Sequence, residues 1–282
     1  MTRTRRATML PIVLLAWMQT GYTFYNTNPD DPSKGLPLRW YVNEIPVNID
    51  EALSREVPAE DTLVAIRESM AAWNDVDTWS QGHCTHPRLV EEGLVSGMPP
   101  IRKVGNGEVG CNLVVFESGD AWLEGKSEID LQNVIALTTL FYDPRTGEAR
   151  SYALEMNEGK YEFAVLALPG GDAIDLANTL THEFGHVLAL DHTQRTNRES
   201  TMYYSAPAGE VRKRSLETDD MEGLCALYSV QYAEVIPDEG DGGGGCASGT
   251  SGTTALPCGM AILAALGLLA GLRRRPGRDR AN

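Results

Sequence analysis

Residues 182–192 read His-Glu-Phe-Gly-His-Val-Leu-Ala-Leu-Asp-His. His182 and His186 are four apart, and four residues turn a helix about 40° past a full circle, so both imidazoles leave one face. That spacing lets two histidines hold one zinc ion, with Glu183 beside it as general base. Asp172 is placed to cap the helix, and Asp175 to set negative charge near its positive end. Ile174, Leu176, Ala177, Leu180, Phe184, Val187 and Leu188 supply apolar surface on the remaining sides, which predicts a helix buried on most of them. His192 lies six residues past His186; continued as a helix, it would point about 240° away. The chain must therefore turn after about Leu188 for three histidines to meet one ion. Glycine makes such turns most readily, but the residue there is Ala189.

The stretch resembles the metzincin metalloproteases, whose pattern is His-Glu-x-x-His-x-x-Gly-x-x-His followed by a methionine turn. Only the glycine is unmatched. Asp191 before the last histidine is similar to the matrixin branch, and Ser200-Thr201-Met202-Tyr203 is similar to the methionine turn, with Met202 as the apolar floor under the metal. Taken singly, Met202 would read as core filling. Residues 216–228 resemble the closing helix of matrixin domains.

The resemblance implies an α+β fold: a twisted mixed β-sheet with a long backing helix, an active-site helix and a C-terminal helix. It also implies a zinc metalloendopeptidase acting on protein or peptide substrates. His182, His186 and His192 would hold one catalytic zinc, and Glu183 would take the proton of a metal-activated water. Tyr204 stands where some other metzincins place a zinc-contacting tyrosine, an auxiliary role. Tyr204-Ser205-Ala206-Pro207, in the loop expected to form the specificity pocket, departs from the matrixin wall pattern. Tyr152 and Ala153 stand where the family often carries acidic residues for calcium, so calcium has no support here. One alternative is a non-catalytic cell-surface protein stabilised by zinc; Glu183 argues against it, because a structural zinc needs no base. The other is a gluzincin with a distal glutamate ligand, which His192 makes unnecessary.

Outward from this centre, Leu63, Ile66, Met70 and Trp73 predict a helix over 60–74, with Pro58 just ahead of it. Residues 24–37 read as a loose polar lead-in and 38–42 as a first strand. Residues 75–112 read as irregular, with His83 and His86 as loop histidines flanking Cys84. Strands are expected at 113–117 and 133–142, then a turn at 143–148. A strand at 151–157 follows which, by the resemblance, borders the cleft and pairs with substrate backbone. Residues 193–215 read as a solvated loop carrying Arg212, Lys213 and Arg214.

The 282 residues carry a net charge of −15, and both ends are basic. Without residues 1–21 and 253–282, 16 basic residues face 38 acidic ones, a balance that does not favour nucleic acid. Arg3, Arg5 and Arg6 followed by an apolar run from Ala7 to Met18 predict a signal peptide over 1–22. The domain then occupies 23–236, a Gly-rich linker 237–252, and a transmembrane or sorting tail 253–282. Thr253–Leu272 is long enough to span a bilayer and precedes Arg273-Arg274-Arg275. Together with Cys246 or Cys258 this end resembles the MYXO-CTERM sorting tail of bacterial surface proteins. The expectation is an exported monomer that meets a membrane only through its tail before processing. It would sit at the cell surface or outer membrane, or become extracellular after processing. Five cysteines without a Cys-x-x-Cys pair predict disulfides, with Cys84–Cys111 the best single pairing.

Overall fold

A computed structural model describes residues 22–76, 84, 86–104, 107–119, 122, 133–193, 197–228 and 260–267. Its elements begin with β1 (Thr23–Phe24), β2 (Glu44–Asp50), α1 (Ala59–Asn74), β3 (Arg88–Val95), β4 (Ile101–Val104) and β5 (Gly107–Gly110). There follow β6 (Leu113–Glu117), β7 (Val134–Tyr142), β8 (Ala149–Asn157), β9 (Phe163–Ala164) and β10 (Ile174–Asp175). Last come α2 (Leu176–Val187), β11 (Leu190–Asp191), α3 (Thr218–Leu227) and β12 (Met260–Gly267).

The main sheet has the order β12-β7-β8-β6-β2-β3. β3, β2, β6 and β8 run parallel to one another, whereas β7 is antiparallel to β8 and β12 antiparallel to β7. This is the expected α+β, metzincin-like arrangement. β2 alternates between buried and more open residues, as a strand with one covered face does. β7 and β8 are buried along almost their whole length, because α2 covers one face of them.

α1 buries Thr62, Ala65, Ile66, Ser69, Met70 and Trp73, a stripe at helical spacing. The stripe lies on α2 and is pinned there by polar contacts. Trp73 Nε1 donates to Thr181 O at 2.7 Å, and Ser69 Oγ donates to Ala177 O at 3.2 Å.

Several expectations need correction. Residues 38–42 do not form a strand: Leu38 and Trp40 are buried, but Arg39 makes one isolated bridge to Glu148 and the true strand starts at Glu44. The lead-in is not loose, since Thr23 and Phe24 pair with Asp191 and Leu190. Residues 75–112 include β3, β4 and β5. β8 lies inside the sheet between β7 and β6, so β7 is the strand that meets an edge partner. Asp172 does not cap α2; Asp175 does, its Oδ1 accepting from Asn178 N at 2.8 Å. Cys84 is joined to Cys225, in α3, rather than to Cys111; Cys111 is disulfide-bonded as well.

The expected signal peptide and linker lie outside the described residues, as does most of the expected tail. The described part of the tail is β12, an extended strand. No helix among the described residues is long and apolar enough to cross a membrane.

Candidate active site

All twelve residues of α2 are buried. Its first turn is closed by Asp175, which Arg214 holds through a paired guanidinium contact, Nε to Oδ1 at 2.8 Å. At its other end, two of the carbonyls that a helix leaves unpaired find donors: Trp40 Nε1 reaches Val187 O at 2.7 Å, and Tyr228 Oη reaches Leu188 O at 3.1 Å. Ala189 then takes φ +67°, the left-handed conformation glycine usually supplies. Its amide bonds back to His186 O at 2.9 Å, and the chain reverses into β11. This turn brings His192 back over the helix.

The three imidazoles converge. His182 Nε2 lies 3.1 Å from His186 Nε2 and 3.3 Å from His192 Nε2. One ring nitrogen from each falls within 4.8 Å of the others, and among the described residues this is the group suited to hold a metal ion.

Hydrogen bonding fixes the ring edges. His182 Nδ1 is 2.6 Å from Thr201 O, and His186 Nδ1 is 2.8 Å from Leu190 O. A carbonyl only accepts, so each Nδ1 carries the proton and each Nε2 presents a lone pair. Lone pairs converging at 3.1 Å repel one another, and a cation between them would remove the conflict. The donor set therefore fits a metal. Burial drives His182 and His186 well below the ordinary imidazole range, helped by the Lys213 charge and the neighbouring rings, and brings His192 down to about 4. All three are thereby kept neutral, as metal ligands must be.

Glu183 is wholly buried beside them. Thr138 Oγ1, from β7, donates to its Oε2 at 2.6 Å, whereas Oε1 has no partner among the described residues. Burial pushes this carboxyl up to about 8, against the pull of the Thr138 hydrogen bond and the Lys213 charge. Below the cluster, Met202 is buried against Gly185: a Cβ on Gly185 would come within 2.3 Å of the Met202 sulfur and 2.7 Å of Trp73 Cζ2. The Tyr204 ring stands edge-on to His192, 6.3 Å between centroids.

Residues 94–229 match the family model of matrixin. That span contains the three imidazoles, Glu183, Met202 and α3. This chain is matrixin-like. It is 40% identical over 58 residues to human matrix metalloproteinase-25, covering 21% of this chain and 10% of that protein. It is 36% identical over 87 residues to metalloendoproteinase 5-MMP of Arabidopsis thaliana, covering 31% and 22% of the two chains. For 2-MMP of the same plant the figures are 43% over 56 residues, 20% and 14%. The matched stretches thus span 10% to 22% of these relatives' lengths.

The matrixin-like site also relies on residues that the sequence reading missed. Asp220 accepts from Ser200 Oγ at 2.5 Å, Thr201 N at 2.7 Å and Met202 N at 3.0 Å, so one carboxylate shapes the methionine turn that supports His182. Thr138 and Tyr25 each touch a site residue directly. Two signals were available: two threonines inside an otherwise apolar strand, and a glycine in the middle of a helix. The basic cluster is not a solvated loop. Lys213 is fully buried, Arg214 pairs with Asp175, and Arg212 pairs with Glu199 and Glu210.

Proposed function

We propose that this chain is an exported zinc-dependent endopeptidase that hydrolyses peptide bonds of proteins. His182, His186 and His192 would hold the zinc. When bound, the ion supplies a Lewis acid that polarises a carbonyl and lowers the pKa of a bound water to about 7. Glu183 takes the proton from the attacking water through its unpartnered Oε1 and returns it to the leaving nitrogen. Thr138 holds the other oxygen and keeps the carboxylate aimed. Met202 supports the imidazoles from below, and Tyr204 stands ready to meet the developing charge.

The observation that carries this reading is the buried cluster of three imidazoles beside a carboxylate with one free oxygen. A second observation supports a peptide as substrate. The edge of β7 accepts eight residues of extended chain, with Ala264 of β12 opposite Thr138, the residue that touches Glu183. A substrate strand added at that edge would run past the base. The alternative, a surface protein in which zinc only stabilises the fold, is poorly supported: a structural zinc favours four closed protein ligands, and among the described residues the cluster has three.

Export is supported by the disulfides, which persist in oxidising compartments, and by the basic-then-apolar N-terminus. The tail would serve for sorting or membrane attachment before processing. Met260–Gly267 cannot pair with β7 and span a bilayer at once, so the two placements belong to different stages. The mature protein would act as a monomer.

The test compares the parent with Glu183→Gln. Equal zinc content with casein cleavage reduced at least about a thousandfold is the expected result. Equal cleavage by the two would refute the assignment of the base, and chelator-insensitive cleavage would refute the metal.

A further inference from the structure

We propose, resting on the peptidase reading above, that the tail strand β12 is an autoinhibitory element. It takes the place of a substrate on the edge of β7 and must leave before an extended protein chain can reach Glu183.

β7 is paired with β8 on one side and with β12 on the other. The β12 ladder is antiparallel and follows β7 from end to end. Met260 stands opposite Tyr142 and Gly267 opposite Val134, with one irregularity between Leu266 and Gly267. The middle of this ladder falls at the site. Ala264 is opposite Thr138, and Thr138 Oγ1 donates to Glu183 Oε2 at 2.6 Å. β12 also lies against α2, the helix that carries His182 and Glu183. Opposed residues of an antiparallel pair are about 4.5–5.5 Å apart between Cα atoms. The backbone at Ala264 therefore fills the lane that a substrate strand passing the base would use.

The two occupants exclude each other. A strand offers one row of amide and carbonyl groups on each side, and each row pairs with one neighbour. The outer row of β7 can serve β12 or an added substrate strand, but not both.

β12 is also separable from the rest of the fold. The match to the matrixin family ends at residue 229, and the strand begins at Met260. It stands at the end of the sheet order, so its departure breaks no other sheet pairing among the described residues. A strand there shields an apolar edge from other chains. Its register opposite Thr138 makes the same shield a plug over the base.

Tethering strengthens the plug. A segment joined to its own site competes at a local concentration of roughly millimolar. Substrate then meets only the fraction of molecules whose strand is detached, and its apparent affinity falls by that fraction. Holding the tail elsewhere, as the sorting or membrane attachment proposed above would do, opens the site.

The experiment uses the full-length zinc-loaded chain. Neighbouring residues of a strand direct their N–H groups to opposite sides, so one of any adjacent pair donates towards β7. Ala264→Pro with Ala265→Pro removes that donor whichever residue supplies it. In a Glu183→Gln background, fluorescence anisotropy follows binding of fluorescein-labelled casein, and the proline chain should bind at least about tenfold tighter than its parent. With Glu183 intact, the proline chain should cleave dilute casein faster by a similar factor. If thermal melting shows that the proline chain is unfolded, the Glu183→Gln parent alone decides by hydrogen exchange. Saturating casein should then speed exchange at residues 260–267 and leave 134–142 protected. Equal casein binding by the folded proline chain and its parent overturns the proposal, as does unchanged exchange at 260–267 with casein bound. Zinc-dependent cutting of the parent within 260–267, seen by mass spectrometry, also overturns it, because the strand is then a substrate. Casein cleavage at equal rates by both chains sinks the plug alone. Tighter casein binding by the proline chain without cleavage by either sinks the peptidase reading and leaves β12 as the occupant that blocks the β7 edge.

Discussion

Tyr25 and His186 are 161 residues apart in the chain, yet the phenol oxygen of one lies 3.0 Å from Nδ1 of the other. The same Nδ1 is 2.8 Å from Leu190 O, so the ring proton is shared between a carbonyl and a phenol. The N-terminal strand delivers the phenol: β1 pairs with β11, and Tyr25 N bonds to Ala189 O at 3.2 Å.

The first prediction follows from that contact. Partners of a ligand's far nitrogen set its orientation and basicity, and losing one weakens metal binding roughly 10- to 100-fold. Tyr25→Phe keeps the ring and removes the oxygen. Because Leu190 O remains, the expected loss of zinc affinity is at the low end, about tenfold, read by competition with a chelator of known affinity.

Thr138 should act on the base without touching the metal. Thr138→Val keeps the side-chain volume and removes the hydrogen bond to Oε2. Zinc content should be unchanged, while kcat falls by about tenfold with little change in KM, as for a positioning contact worth about 1.4 kcal/mol. The hydrogen bond favours the ionised carboxylate. Removing it raises the Glu183 pKa, so the acid limb of the pH–rate profile should move to higher pH.

Gly185 is fixed by what lies over it. With Met202 sulfur at 2.3 Å and Trp73 at 2.7 Å from a modest added methyl, Gly185→Ala should destabilise the fold by about 1–3 kcal/mol, the usual scale for overpacking. Thermal melting measures the loss. Adding Met202→Ala should restore part of it, because the shortened side chain vacates the contested space.

Acid should be most damaging to the metal-free protein. His192 is brought down to about 4, and His182 and His186 also lie well below their ordinary value. Between about 6.5 and 4 the unfolded chain therefore binds more protons than the folded one, so stability falls as pH falls through that window. A melting series from pH 7 to 4 should show the decline, and His192→Ala should make it shallower.

The centre of this molecule was legible because its chemistry imposes spacing. His182 and His186 had to share a helical face, and the sequence said so. Ala189 looked like a misfit for the turn, yet it adopts the required conformation because flanking contacts from Tyr25, Trp40 and Tyr228 hold the chain there. The α1 stripe and strands β6, β7 and β8 were readable from apolar runs. What stayed hidden depends on distant partners: β1 has little apolar pattern of its own and is ordered by β11. Lys213 and Arg214 look solvated until the fold brings Tyr203 and Asp175 to them. Sequence proximity misled the pairing of Cys84, because the fold brings it to a partner 141 residues away.

The Cys84–Cys225 bond joins positions 141 residues apart, and His182, Glu183, His186, His192, Met202 and Lys213 all lie within the ring it closes. A backbone cut in any exposed loop of that ring leaves two fragments still tethered, with the packed halves in place around the active centre. Under the proposed peptidase activity, such stapling would turn accidental self-digestion from a loss of the molecule into a survivable scar.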